Sequence, residues 1–506
     1  MISPKFFIET LKSHDIDFYA GVPDSLLKNI CAYIADNVDA NHNIITANEG
    51  AAVGLAAGYH LATGKIGVVY MQNSGEGNII NPIASLTDKE VYNIPVLLLI
   101  GWRGRPGVHD EPQHVKQGKV TTGLLNTMGI NYEVLSKEED KAEKQIAKAV
   151  SAMKSTGEVF ALVIEKDTFD TYKLQNVEKN DYPMSREEAI QTVAAAMGEK
   201  DVVVSTTGMI SRELFEYRAA KGQGHERDFL TVGSMGHASQ IALGIALEKH
   251  DRRVWCFDGD GAAIMHMGSM AIVAEKAPKN YIHVVFNNGA HDSVGGQPTV
   301  GLKIDLPAIA RAVGYKAAYS VDSMETLNSK LLTLNSEEGP VLVEVKVHKG
   351  NRADLGRPTT TPSRTKKPSW PSLKNKIMNI KRNVLLNPGP ATTTDTVKMA
   401  QVVPDICPRE KEFAGLMHGL RADLLKIVHA DPKDYTSVLF TGSGTINIDI
   451  CLNSLLPEGK KALIVNNGAY SSRAVEVCQY YHLPHIDLKS SVFERPDLAL
   501  VEKTLQ

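Results

Sequence analysis

Asp258-Gly259-Asp260-Gly261 stands directly after an apolar run at 254–257 and directly before a helical pattern at 262–275, and no other acidic loop of this kind occurs in the 506 residues. These residue types suit a phosphate. Gly259 and Gly261 let the backbone approach an anion, the N–H groups of a helix start point at it, and the Asp260 carboxylate can hold a divalent cation against it. A further 25 residues separate Gly261 from Asn287-Asn288, which close the apolar run 281–286. On a parallel sheet both strand ends lie at the same edge, so an amide oxygen from the second loop can complete the shell of a cation held by the first. Either piece alone is an ordinary turn; together they put a phosphate-friendly helix start and an amide oxygen at one sheet edge. A separate carboxylate, Glu49, stands in Thr46-Ala47-Asn48-Glu49-Gly50-Ala51-Ala52, at the start of an Ala- and Gly-rich helical stretch reaching to about residue 61. A glutamate in a first helical turn also simply complements the macrodipole.

Positioning such loops requires parallel sheets. Val- and Ile-rich runs at 66–70, 96–100, 202–204, 254–257 and 281–286 alternate with helical patterns, which predicts an α/β architecture with parallel sheets covered by helices. Turn and polar residues over 168–183 follow the run 159–164 and mark a boundary, giving a first domain at 1–175 and a second at 184–350. From 351 to 382 nine basic residues face a single acidic one, Asp354, and Pro358, Pro362, Pro368 and Pro371 interrupt the chain, as in an extended basic linker. Residues 383–506 return to α/β patterning, without an internal repeat anywhere. A formal net charge of -3 excludes a general attraction to nucleic acid or anionic membrane. The longest apolar run, 94–100, is too short to span a bilayer. Five scattered cysteines, Cys31, Cys256, Cys407, Cys451 and Cys478, fit a reduced, cytoplasmic protein acting on small molecules.

The Gly-Asp-Gly and Asn-Asn pair resembles the cofactor motif of thiamine-diphosphate enzymes. The resemblance implies two cofactor-binding domains, one for the pyrimidine and one for the diphosphate, with Asp260, the side chain of Asn288 and the backbone carbonyl of Ala290 as Mg2+ ligands. It further implies Glu49 as the carboxylate that protonates the aminopyrimidine ring, and Met235, in Gly233-Ser234-Met235-Gly236, as the apolar residue wedged between the cofactor rings. As a residue type Met235 reads equally as an ordinary core methionine. There is no room for the third, central domain carried by most decarboxylases of this class. Gly21-Val22-Pro23-Asp24-Ser25, Gln72-Asn73-Ser74-Gly75-Glu76-Gly77-Asn78, Gly101-Trp102-Arg103-Gly104-Arg105-Pro106-Gly107, Asp110-Glu111-Pro112-Gln113-His114, Gly295-Gly296-Gln297-Pro298-Thr299 and Leu355-Gly356-Arg357-Pro358-Thr359 resemble the phosphonopyruvate decarboxylase family over 2–362, with sulfopyruvate decarboxylases as the rival.

That resemblance implies decarboxylation of the small 2-oxo acid 3-phosphonopyruvate to phosphonoacetaldehyde and CO2, a step toward 2-aminoethylphosphonate, in a homodimer or larger assembly with sites between subunits. Ser25 and His114 join Glu49 as catalytic candidates, and Asp24 and His291 border the same region, histidine being the side chain that titrates near neutrality. Asp24 and Ser25 read equally as caps of a helix beginning at Leu26. A dianionic phosphonate suits Arg103, Arg105, Lys116 and Arg357, each of which taken singly is an ordinary solvated charge. Glu76 departs from the family, in which an apolar residue is expected.

Leu385-Leu386-Asn387-Pro388-Gly389-Pro390, Tyr435-Thr436-Ser437-Val438-Leu439-Phe440-Thr441-Gly442-Ser443-Gly444-Thr445 and Val465-Asn466-Asn467-Gly468-Ala469-Tyr470 resemble the N-terminal part of 2-aminoethylphosphonate:pyruvate transaminases, a fold-type-I pyridoxal-phosphate family. Ser443, Gly444 and Thr445 would open a helix after a strand as a phosphate cup. The Schiff-base lysine and ring-nitrogen aspartate of that family lie further along its chain. Residues 383–506 are therefore expected to be a partial domain that takes pyridoxal phosphate, and shows transaminase activity, only if another chain completes it.

Overall fold

The computed structural model describes residues 1–359, 392–402 and 406–506. The chain forms two compact units, Met1–Ile380 and Lys381–Gln506. The part of the expected linker beyond 359 and the motif at 385–390 lie outside the described residues.

The first unit carries two six-stranded sheets. β1 (Phe18–Gly21), β2 (Asn43–Ile45), β3 (Gly67–Gln72), β4 (Val96–Gly101), β5 (Asn131–Val134) and β6 (Phe160–Ile164) run in the order β2-β1-β3-β4-β6-β5. β7 (Val202–Ser205), β8 (Asp228–Leu230), β9 (Val254–Gly259), β10 (Tyr281–Asn287), β11 (Ala317–Val321) and β12 (Val341–Lys346) run in the order β8-β7-β9-β10-β12-β11. Every neighbouring pair in both sheets is parallel. The two orders are the same, so one topology occurs twice: a structural repeat that the residue pattern does not display. The central strands read as unbroken apolar runs because helices bury both faces. Val68, Tyr70, Leu97 and Leu99 enter one core, and Val69, Met71, Leu98 and Ile100 enter the core on the opposite face. Between the sheets 171–184 is irregular, until Ser185 and Glu188 form a capping box that starts the helix Arg186–Ala196.

Two local expectations are corrected. The helix expected over 262–275 is two helices, Asp260–Met265 and Ser269–Lys276, broken at His266. The carbonyl of Met265, left open at the break, accepts a 3.3 Å hydrogen bond from Asn48 Nδ2, a partner remote in sequence. Asp24 and Ser25 do not cap a helix at Leu26; that helix starts at Lys28 without a side-chain cap, and Asp24 is fully buried for another purpose.

In the second unit β13 (Ala462–Asn466) and β14 (His485–Lys489) pair in parallel, flanked by helices that include Lys411–Ile427, Gly444–Leu455 and Ala469–Tyr480. Ser443 precedes the helix Gly444–Leu455, but the strand expected before it does not form. A strand needs a neighbour for its backbone groups, and Val438 and Phe440 here stand exposed instead. The buried core of this unit is small, centred on Ile464, Val475 and Cys478. Among the described residues no helix is long and apolar enough to cross a membrane.

Candidate active site

Glu49 is the first residue of the helix Glu49–Thr63, whose N-cap Asn48 accepts from Ala51 N–H. Its side chain is buried. Asn78 Nδ2 donates to Glu49 Oε2 at 2.6 Å, and a Cβ at Gly75 would lie only 2.6 Å from Glu49 Cδ, so Gly75 is what allows the carboxylate its place. Through Asn48 and Met265 the Glu49 segment meets the second sheet's first cofactor loop within one chain.

β9 and β10 end side by side, Phe286 in register with Gly259, and their loops meet as the spacing predicts. Asp260 is buried, receives the Thr299 hydroxyl, and accepts backbone N–H groups including that of Asn288; burial still raises its carboxyl to about 6. Asn288 Oδ1 accepts from Ala290 N–H at 3.0 Å. A carboxylate, an amide oxygen and a nearby backbone carbonyl are the hard oxygen donors that Mg2+ requires. Gly261 fits the same purpose: a Cβ there would lie 2.9 Å from His291 Cε1 and 3.4 Å from Met235 Cε, so Gly261, His291 and Met235 line one cradle that a larger residue would fill. Gly259 ends β9 and precedes the Asp260 helix. The residues present therefore fit a magnesium-held diphosphate.

A polar network occupies the carboxyl edge of the first sheet. Asp24 accepts from Gln72 Nε2 at 2.6 Å and from Leu26 N–H at 2.9 Å, and burial pushes its carboxyl up despite those donors and Arg103. Arg103 Nη1 donates to Ser25 Oγ at 2.5 Å, while its Nε and Nη2 fork onto Asp110. His114 is buried with Nδ1 unpartnered among the described residues. Burial, reinforced by Arg103, lowers His114 to about 4, and burial lowers His291 likewise to about 4. Desolvation thus favours the neutral ring at both histidines, below the near-neutral range expected from the residue type. Of the four cations, only Arg103 bonds to this network at Ser25. Arg105 pairs with Glu165 at 2.8 Å, Arg357 pairs with Glu111, and Lys116 is exposed. Residue reading missed Gln72, Asn78, Asp110 and Thr299 as partners; all four stand in the quoted motifs, but only folding shows which group each one meets. Ser443, Gly444 and Thr445 are exposed at the start of their helix in the other unit.

Glu76 is 3% exposed, neither oxygen meets a donor in good hydrogen-bond geometry among the described residues, and burial, offset only in part by the nearby Thr121 hydroxyl, raises its carboxyl to about 8. Between about 4.5 and 8 the unfolded chain releases a proton that the fold retains, so this group lowers stability as pH rises through that window. Glu76→Leu is expected to melt at a higher temperature than the native protein, with an advantage that grows from pH 5 to pH 8 and reaches on the order of a few kcal/mol. Melting curves at the two pH values check this; a gap that does not widen contradicts it.

Residues 4–124 match the family described as thiamine pyrophosphate enzyme, N-terminal TPP binding domain, and residues 206–345 match the C-terminal TPP binding domain. The phosphonopyruvate decarboxylase of Streptomyces hygroscopicus is 34% identical over 377 residues, covering 72% of this chain and 92% of that protein. The sulfopyruvate decarboxylase of Methanosarcina acetivorans is 30% identical over 341 residues, 63% of this chain and 84% of the relative. Separately, the 2-aminoethylphosphonate–pyruvate transaminase of Bacillus cereus is 34% identical over 123 residues, 24% of this chain but only 33% of that enzyme. With both cofactor domains matched and the Asp260 and Glu49 loops in place, the chain belongs to the phosphonopyruvate decarboxylase family of thiamine-diphosphate-dependent carboxy-lyases.

Proposed function

We propose that the 2-oxo acid decarboxylated is 3-phosphonopyruvate, giving phosphonoacetaldehyde and CO2. The observation that carries this is the extent of likeness: phosphonopyruvate decarboxylases match more of the chain, and at higher identity, than the full-length sulfopyruvate enzyme. The C-terminal likeness to a transaminase named for 2-aminoethylphosphonate, the amine corresponding to this aldehyde, points the same way. Bound thiamine diphosphate supplies an electron sink for the pair left behind when CO2 departs.

In this reading residues 1–175 hold the pyrimidine and 184–350 the diphosphate and Mg2+, with 351–382 as a linker. Asp260, Asn288 Oδ1 and the Ala290 carbonyl hold the cation, Gly259 and Gly261 leave room for the diphosphate, and Met235 supports the cofactor rings. Glu49 holds a proton at the pyrimidine ring, kept in place by Asn78. Asp24, Ser25, Arg103, neutral His114 and His291 face the substrate; of the four cations, Arg103 is the one joined to this network. Arg105, Lys116 and Arg357 keep surface roles.

A homodimer or larger assembly is supported by the helix Glu49–Thr63, which exposes Ala51, Gly54, Leu55, Gly58, Leu61 and Ala62 together, with open space at Gly54 and Gly58. Residues 383–506 form an aminotransferase-like part that takes pyridoxal phosphate only with residues supplied from elsewhere. The test of substrate is kcat/KM for phosphonopyruvate, sulfopyruvate and pyruvate in the presence of cofactor and Mg2+. A preference of at least about tenfold for phosphonopyruvate, about 1.4 kcal/mol, is expected; a preference for sulfopyruvate overturns the assignment.

A further inference from the structure

Asn288 is gripped by a buried ion network lying outside the cofactor motif. Its Nδ2 donates to Asp292 Oδ2 at 2.7 Å. That same carboxylate oxygen accepts the Gly350 N–H at 2.9 Å and Arg186 Nη1 at 3.2 Å. Arg186, 4% exposed, turns its other edge to Glu213, with Nε to Oε2 and Nη2 to Oε1 both at 2.9 Å. Four parts of the chain thereby converge on one amide: the start of the helix Arg186–Ala196, the helix Met209–Ala220, the turn after β10, and the segment after β12.

The chemistry of an amide gives this arrangement its consequence. Nδ2 only donates and Oδ1 only accepts, so an acceptor fixed on one side decides which way the group faces. Asp292 takes Nδ2, which leaves Oδ1, already beside the Ala290 N–H, as the end offered to a cation. The bidentate pair of Arg186 with Glu213 and its third bond to Asp292 hold that carboxylate in place as a hydrogen-bond acceptor.

We propose that Asp292, clamped by Arg186 and Glu213, is a positioning residue that sets the Asn288 amide with its oxygen toward Mg2+. The inference rests on the assignment of Asn288 as a magnesium ligand. Removing the acceptor frees the amide to rotate.

The test is the Mg2+ concentration that half-saturates thiamine diphosphate binding, read by calorimetry or intrinsic fluorescence without turnover, alongside the melting temperature of the cofactor-free protein. Asp292→Ala, which leaves no acceptor for Asn288 Nδ2, is expected to raise that concentration by about 10- to 100-fold. Arg186→Lys, which keeps the charge but loses the fork, should raise it less, and Asn288→Ala at least as much as Asp292→Ala. A merely structural role would lower the melting temperature and leave the Mg2+ dependence unmoved. If Asn288→Ala shifts the Mg2+ dependence while folded Asp292→Ala and Arg186→Lys both stay within about twofold of native, the positioning role is overturned and the ligand assignment stands. If Asn288→Ala itself produces no shift, the ligand assignment falls and the inference falls with it. Should Asp292→Ala fail to fold, Arg186→Lys decides alone.

Discussion

Glu49→Gln is expected to keep the fold and to bind thiamine diphosphate with Mg2+, yet to lose about 10²- to 10⁴-fold in kcat, the range for removing one positioned proton donor. The substitution is nearly isosteric. Glutamine can still accept the 2.6 Å bond from Asn78 Nδ2 through its oxygen, so the helix start and the packing against Gly75 survive. What disappears is the exchangeable proton at the end of the side chain. Cofactor affinity measured by calorimetry separates the two effects: unchanged binding with lost turnover supports the assigned role, whereas turnover within a few-fold of native removes Glu49 from the chemistry.

Asp260→Ala should act on a different quantity. Burial raises the Asp260 carboxyl to about 6, so the unfolded chain ionises between about 3.8 and 6 while the fold still holds the proton. Without a cation the carboxylate therefore lowers stability as pH rises through that window. The cofactor-free variant should melt no lower than the native protein at pH 7.5. In contrast, the stabilisation conferred by saturating cofactor and Mg2+, about 2.7 kcal/mol at a hundredfold excess over Kd, should vanish. Melting curves with and without both ligands check this. A variant still stabilised by them would show that the cation is held elsewhere.

The central strands were legible because burial on both faces writes them as continuous apolar runs; β3, β4, β9 and β10 appear almost to the residue. β2, β5, β8 and β11, at the four sheet edges, are short or mixed in polarity and carry no comparable signal. The repeat of strand order is invisible for a related reason, since topology is set by which strands pair and not by local pattern. The Gly-Asp-Gly and Asn-Asn loops were legible because the residues that meet the ligand are contiguous. Their supports were not: Thr299 on Asp260 and Arg186 on Asp292 are brought in by long-range folding, and Asp292, only four residues from Asn288, meets it through the turn that follows β10. Asp24 shows the converse error. A short polar residue near a helix start suggests a cap, but Gln72 from the neighbouring strand β3 claims it. Glu76 stood out by type alone, and only burial reveals that its carboxyl is held neutral.

CO2 release from 3-phosphonopyruvate, followed by the full-length protein stripped of ligands and then supplied with thiamine diphosphate, Mg2+, both or neither, tests the account most directly. Turnover that requires both together, and that yields one phosphonoacetaldehyde per CO2, is the predicted result; turnover independent of either, or none with both present, would contradict it.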